Sequence, residues 1–163
     1  MKIGIVGLGL RIGYLARIIH RDIPDARFVG YVDPAPFGMN QLEPAGINPG
    51  RSYDSIAALN AAEAPDLLMV GSPNHMHLQH LREALDLGLK TFSEKPVVST
   101  EQDTYTLLKM LADNGDMDQM MIGLVLRYAP LYRDLVAARN NGSLGAITSI
   151  EASEHIAPYH GAF

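Results

Sequence analysis

The chain has 163 residues and no cysteine, 47% of its residues are hydrophobic, 19% are charged, and its formal net charge is −5. This composition is typical of a globular protein and excludes a disulfide framework and thiolate chemistry. Nucleic acid and anionic membranes are not expected partners, because both would require clustered Lys and Arg. No apolar run reaches the roughly 18 residues of a membrane span, and we expect a cytoplasmic protein.

Predicted strands and helices alternate along the chain. The hydrophobic patterns predict strands over residues 2–6, 26–33, 65–73, 89–96, 118–126 and 146–158. They predict helices over residues 12–20, 53–61, 74–88, 99–115 and 129–145, with Asp54 or Ser55 capping the second of these. The Pro- and Gly-rich segment 34–50 is predicted to be a loop. This order predicts a doubly wound α/β fold with a parallel sheet, which binds ligands at the carboxyl ends of its strands.

A glycine turn follows the first predicted strand and precedes the first helix. Its glycines are Gly7, Gly9 and Gly13, whereas the usual dinucleotide-binding spacing would place the third at residue 12. Gly7 and Gly9 would let the backbone approach a pyrophosphate at the N-terminus of the helix. The third glycine serves helix–strand packing, so we expect the one-residue shift to be tolerated. The predicted contacts also include Leu10, Arg11 and Ile12.

Asp33 ends the second predicted strand and lies 26 residues beyond Gly7. A carboxylate at this position accepts hydrogen bonds from the adenosine ribose and repels a 2′-phosphate, which favours NAD over NADP. Arg11 lies inside the glycine turn and either contacts a phosphate, which would weaken that preference, or faces solvent. The sequence alone leaves both positions of Arg11 open.

Glu94-Lys95-Pro96 lies at the end of the fourth predicted strand, on the expected ligand side. Hydride transfer from a secondary alcohol requires a group that accepts the hydroxyl proton, and a lysine amine can do so beside a cationic nicotinamide ring. The other interpretation of the tripeptide is a surface turn. His75, His77 and His80 predict no metal site, because His75 and His77 lie on different faces of a helix and no carboxylate or cysteine joins them.

These motifs together resemble the Gfo/Idh/MocA oxidoreductase family over essentially the whole chain. The resemblance rests on the glycine turn, Asp33 and the segments SPNHMH, GLKTFSEKP, RYAP and GSLGAITSIEAS. It implies that Lys95 is the catalytic residue and that Glu94 orders the nicotinamide. It also implies a cis Lys95–Pro96 peptide bond and a sugar, inositol or related polyol as the substrate. The cofactor contacts that it implies in the cleft are Ser72, Pro73, Asn74, His77, Glu94 and Lys95.

Family members are longer than this chain. We therefore interpret residues 1–126 as a dinucleotide-binding domain and residues 127–163 as the beginning of an incomplete substrate domain. A lone strand at 146–158 would have unpaired edges, and we expect it to pair with a second copy in a homo-oligomer, to fold back, or to be disordered. Two alternatives remain: a non-catalytic NAD-binding fragment, and a flavodoxin-like or response-regulator-like domain, which would not explain Asp33 or Glu94-Lys95-Pro96.

Overall fold

The computed structural model of the chain describes residues 1–114, 117–153 and 155. The chain divides into two compact units, Met1–Leu124 and Val125–Phe163. The first unit contains the sheet and five α-helices of the described chain, and the second contains a single α-helix among its described residues.

Six parallel strands in the described residues form one sheet in the order β3-β2-β1-β4-β5-β6. Their bounds are β1 Lys2–Val6, β2 Arg27–Val32, β3 Arg51–Ser52, β4 Leu67–Val70, β5 Thr91–Ser93 and β6 Met120–Ile122. The chain moves outward from β1 to β3 and then returns to place β4 on the other side of β1. This reversal creates a crevice at the carboxyl ends of β1 and β4, where doubly wound folds bind ligands.

Each of the first five α-helices lies between two consecutive strands, as the alternating pattern predicts, and the sixth follows the last strand. Their bounds are α1 Leu10–Asp22, α2 Met39–Leu42, α3 Ile56–Glu63, α4 His77–Asp86, α5 Glu101–Asn114 and α6 Pro130–Asn140. Ser55 rather than Asp54 caps α3, since its hydroxyl accepts a hydrogen bond of 3.1 Å from the N–H of Ala58. Short 3₁₀ helices lie at Glu43–Ala45, Asn74–Met76, Met117–Gln119 and Val125–Tyr128.

Apolar side chains cover both faces of the sheet. Along β1, Ile3 and Ile5 belong to one buried cluster and Val6 to another, as the alternation of side chains in a strand requires. The first cluster packs under α1 through Ile12 and Ala16. The second cluster is completed by four leucines of α4 and α5, which are Leu81, Leu85, Leu107 and Leu111.

Three sequence predictions differ from the structure. The segment 34–50 is not a plain loop, because α2 and a 3₁₀ helix lie within it. The two-residue strand β3 was not predicted, since two exposed residues carry no periodic signal. The strand predicted over 146–158 is wrong for residues 146–153 and 155, which are exposed and form no strand, because local β-propensity cannot replace a hydrogen-bonded neighbour. Residues 154 and 156–158 lie outside the described part.

Candidate cofactor and catalytic site

The glycine turn packs against the end of β4 on one side and is open on the other. Gly7 has a φ of +80°, and a methyl group there would overlap the backbone of Ser72. Gly9 is the N-cap residue of α1, with no side-chain hydrogen bond, and a methyl group built on it would meet no atom within 4 Å. The first N–H groups of α1 thus have no side-chain cap, and the space beside Gly9 is open, a combination that suits a phosphate.

The extra residue of the turn is accommodated by two other glycines. Ile12, which occupies the position of the usual third glycine, is fully buried, and its side chain fills the space beside Gly71 at the end of β4. Gly13 faces a different partner, since a methyl group on it would lie 2.9 Å from both Cα and O of Gly38. Gly13 thus permits the close approach of the loop after β2, and helix–strand packing here depends on Gly71.

Arg11 and Glu94 form an ion pair across the crevice. Arg11 is the second residue of α1, and its Nε donates a hydrogen bond of 3.0 Å to Oε1 of Glu94, just after β5. The Glu94 side chain is only 10% exposed, whereas that of Arg11 is 45% exposed. The sequence left open whether Arg11 contacts a phosphate or faces solvent, and the structure joins its Nε to Glu94 of the Glu-Lys-Pro segment.

Lys95 is exposed next to the buried Glu94. Its backbone N–H donates a 3.3 Å hydrogen bond to Oε2 of Glu94, while its amine makes no hydrogen bond or ion pair with any described residue. The Lys95–Pro96 peptide bond is cis, which confirms the expectation from the family resemblance. The amine of Lys95 therefore lies unpaired among the described residues, at the carboxyl edge of the sheet.

His77 is buried, with 1% of its surface exposed, and joins the segments that follow β4 and β5. Its Nε2 lies 2.8 Å from the carbonyl oxygen of Ser72, and its Nδ1 lies 2.8 Å from the carbonyl oxygen of Pro96. Both ring nitrogens are therefore engaged with backbone oxygens. His77 thus lies between the segments that follow β4 and β5, close to the backbone of both.

Ser72 and His80 form a second polar contact at the end of β4. The Ser72 hydroxyl lies 2.8 Å from Nδ1 of His80, one turn along α4 from His77. Burial, with a smaller contribution from the neighbouring His77, lowers the pKa of His80 below its usual value of 6.5, although Glu83 opposes the shift. This contact links the end of β4 to the first turns of α4.

The remaining residues predicted to contact the cofactor differ in burial and in hydrogen bonding. Asp33 is half-buried at the end of β2, and its Oδ1 accepts a 2.7 Å hydrogen bond from the N–H of Ala35. Pro73 and Asn74 are exposed between β4 and α4, and Leu10 is exposed in the first turn of α1. The Arg127–Pro130 segment belongs to the second unit, where it forms a 3₁₀ helix and the first residue of α6.

Sequence reasoning missed three residues that shape this edge. Gly71 and Gly38 make room for the longer glycine turn, and Gly123 lies beside Glu94, because a methyl group on it would be 3.4 Å from Oε1. Each follows a strand or lies in a connecting loop, so its position was a usable signal. No cluster of three or more metal-binding side chains occurs within the described ranges, nor does any helix there combine the length and apolarity needed to cross a membrane.

Comparisons with known proteins agree with this architecture. Residues 1–122 match the GFO_IDH_MocA family model, described as "Oxidoreductase family, NAD-binding Rossmann fold". Inositol 2-dehydrogenase 4 of Saccharopolyspora erythraea is 25% identical over 146 residues, which are 89% of this chain and 42% of the relative. D-xylose 1-dehydrogenase (NADP(+)) 2 of Haloferax volcanii is 30% identical over 105 residues, which are 63% of this chain and 30% of the relative.

A solved structure is also similar to nearly the whole of this chain, which again corresponds to less than half of the larger protein. Scyllo-inositol dehydrogenase from Lactobacillus casei, with bound cofactor NAD(H) and scyllo-inositol, is 25% identical and superimposes with a TM-score of 0.76 over 91% of this chain and 43% of that one. The chain thus spans less than half the length of these relatives. The family model covers most of the chain, and the sheet order and the edge geometry are those of a dinucleotide-binding domain. The chain belongs to the Gfo/Idh/MocA oxidoreductase family, with an NAD-binding Rossmann fold.

Proposed function

We propose that this chain is the cofactor-binding part of an oxidoreductase that transfers a hydride between a nicotinamide dinucleotide and a hydroxyl carbon of a sugar, an inositol or a related polyol. The observation that carries the proposal is the unpaired amine of Lys95 among the described residues, next to the buried Glu94 at the crevice where the glycine turn is open. Family membership supports the reaction class, and the relatives named for inositol and xylose dehydrogenation support the substrate class.

The residues of the edge fit a dinucleotide. The open space at Gly9 and the free N–H groups of α1 suit a pyrophosphate. Asp33 uses Oδ1 for its bond to Ala35, and its second carboxylate oxygen makes no hydrogen bond within the described chain, so it can accept one from a ribose hydroxyl. When bound, the nicotinamide ring supplies the site that accepts or donates the hydride. The protein's own contribution is to hold Glu94 and Lys95 in place, which the Arg11 contact and the His77 bridge support.

Lys95 is the proposed proton-transfer residue. In the oxidative direction its neutral amine accepts the proton of the substrate hydroxyl, while the hydride leaves the carbon that bears this hydroxyl. In the reductive direction its ammonium returns the proton to the oxygen. Glu94 is held by Arg11 and does not form an ion pair with the Lys95 amine. This arrangement supports a role for Lys95 as an available base rather than as one half of a surface ion pair.

NAD is the proposed cofactor, with NADP the less favoured one. The support is the carboxylate of Asp33, which would repel a 2′-phosphate. Because one relative is named as an NADP(+)-dependent dehydrogenase, the test must compare both cofactors.

We infer further that residues 127–163 begin a substrate domain and that the chain associates with itself. Exposed apolar side chains on α6 support self-association, and these are Leu131, Tyr132, Leu135 and Val136. Spacings of three and four residues place them along one side of the helix. Light scattering that shows only monomers at about 100 μM, well above typical dimer affinities, would contradict the association.

The test of the proposed function is calorimetric titration of the chain with NADH and NADPH, followed by turnover assays with a panel of polyols. Binding of NADH with turnover would support the full proposal. Binding without turnover would favour the second candidate, a non-catalytic NAD-binding module. Binding of neither nucleotide would refute both. Lys95→Met should abolish turnover without changing NADH affinity more than about twofold.

A further inference from the structure

Only one of the three guanidinium nitrogens of Arg11 has a partner among the described residues. Its Nε is committed to Glu94, yet its two terminal nitrogens make no hydrogen bond with any residue in the described part of the chain. A guanidinium carries five N–H donors in a planar fork, so four of them remain available. With a side chain 45% exposed, Arg11 can reach an external ligand without breaking the contact to Glu94.

Glu94 depends on Arg11 for its orientation. Oε2 receives only a long 3.3 Å hydrogen bond from the backbone of Lys95. Arg11 is the only cationic side chain that pairs with Glu94 among the described residues. A buried carboxylate that loses such a partner becomes costly and reorients toward solvent.

The unpaired terminal nitrogens of Arg11 belong to the helical turn that directly follows Gly9. Arg11 follows Leu10 in the first turn of α1, where Gly9 leaves unfilled space and no side chain caps the helix. The free backbone N–H groups and the free guanidinium nitrogens thus belong to residues 10–12, a single helical turn. Both donor types prefer phosphate oxygens.

We propose that Arg11 serves two ends of the cofactor site: its terminal nitrogens bind a phosphate of the dinucleotide, and its Nε positions Glu94 toward the nicotinamide end. This inference rests on the proposed function, since it requires a dinucleotide in the crevice. Arginine suits the task because its fork can bond a carboxylate and a phosphate at once, whereas a lysine ammonium is a single point charge.

Two probes separate the two ends. ADP-ribose carries the pyrophosphate without the nicotinamide, and NADH carries both. Arg11→Gln should weaken ADP-ribose binding about tenfold, the usual effect of losing a charge-assisted hydrogen bond. Arg17→Gln is the matched control, because it removes the same charge from an exposed residue of the same helix, and it should change affinity less than about twofold. Equal effects of the two variants would overturn the phosphate role.

The positioning role is tested by a double-mutant cycle. Glu94→Gln should weaken NADH binding about fivefold and leave ADP-ribose binding within about twofold, because only NADH has a nicotinamide. In the Arg11→Gln background the same change should cost NADH less than about twofold, since Glu94 is then already displaced. An undiminished effect of Glu94→Gln in that background would overturn the positioning role.

Arg11→Lys provides a variant that keeps the charge and does not depend on how well Arg11→Gln folds. It should retain ADP-ribose binding within about threefold but lose the extra affinity that NADH has over ADP-ribose. A lysine variant that keeps this preference would contradict the proposal. Failure of the unmodified chain to bind either probe would instead refute the proposed function, so the two failures are distinguishable.

Discussion

Replacing Gly71 with alanine should destabilise the first unit because Ile12 already fills the space. The added methyl group would overlap Cγ1 of Ile12 and lie 2.7 Å from its Cδ1 and 3.1 Å from the carbonyl oxygen of Gly7. The backbone itself tolerates alanine, since Gly71 is not among the residues with positive φ. Overpacking of this kind costs about 1–3 kcal/mol, and the overlap with a rigid β-branched side chain places Gly71→Ala at the upper end.

The partner substitution tests whether that cost comes from Ile12. Ile12→Ala empties a fully buried site and should cost about 2–5 kcal/mol on its own. In the double variant the methyl group added at position 71 enters the emptied space, so the two costs should not add. We expect the double variant to be more stable than the sum predicts by about 1–3 kcal/mol.

Urea unfolding followed by circular dichroism measures all three variants against the parent chain. Gly9→Ala is the matched control, because a methyl group there meets no atom within 4 Å, and it should cost at most about 1 kcal/mol for the weaker helix cap. Additivity of the two substitutions to within about 0.5 kcal/mol would refute the idea that Gly71 replaces the third glycine of the turn.

Three further predictions concern single side chains of the edge. His77→Leu should destabilise the chain by about 1–3 kcal/mol in urea unfolding, because a backbone carbonyl at this buried site loses the N–H of the imidazole, whereas the exposed His75→Leu should change stability by less than about 0.5 kcal/mol. Asp33→Ser should raise NADPH affinity about tenfold in calorimetry by removing the carboxylate that repels a 2′-phosphate, and an unchanged affinity would contradict that role. The free energy of unfolding should fall as the pH drops below 6.5, because burial lowers the pKa of His80 and the unfolded chain then binds the proton first. His80→Gln should reduce this dependence below pH 6.5, and an equal slope would exclude His80 as its cause.

The sheet and its ligand edge could be predicted from the sequence because their signals are local. The apolar runs that became β1 and β4 end in glycines, and Asp33 and Glu94 follow their own strands as parallel topology requires. For residues 146–153 and 155, where a strand was predicted and none exists, the local signals were misleading. These residues have suitable β-propensity, but a strand exists only with a hydrogen-bonded partner, and no local pattern reports whether a partner is present.

The roles of His77 and Arg11 could not be predicted for a related reason. Helical spacing placed His77 at the start of a helix, but its contacts are the carbonyls of Ser72 and Pro96, 5 and 19 residues away along the chain. Arg11 and Glu94 are 83 residues apart in sequence and meet only because β5 lies next to β4 at the edge that the glycine turn faces. Motif spacing identifies such residues as candidates, while the contacts that decide between a cofactor ligand and a structural bridge are non-local.

The longer glycine turn shows why the spacing of one motif is an incomplete test for a dinucleotide site. What the fold requires is that α1 approach β4 closely enough to present its first N–H groups, and the glycine that permits this approach can lie on either partner. In this chain that glycine is Gly71, directly after β4, and the facing position on α1 is occupied by Ile12. A sequence with an apolar residue at the third glycine position should therefore be searched for a glycine directly after the strand that corresponds to β4, the neighbour of β1 on the side away from β2. Finding one restores the dinucleotide-binding interpretation that the motif alone would reject.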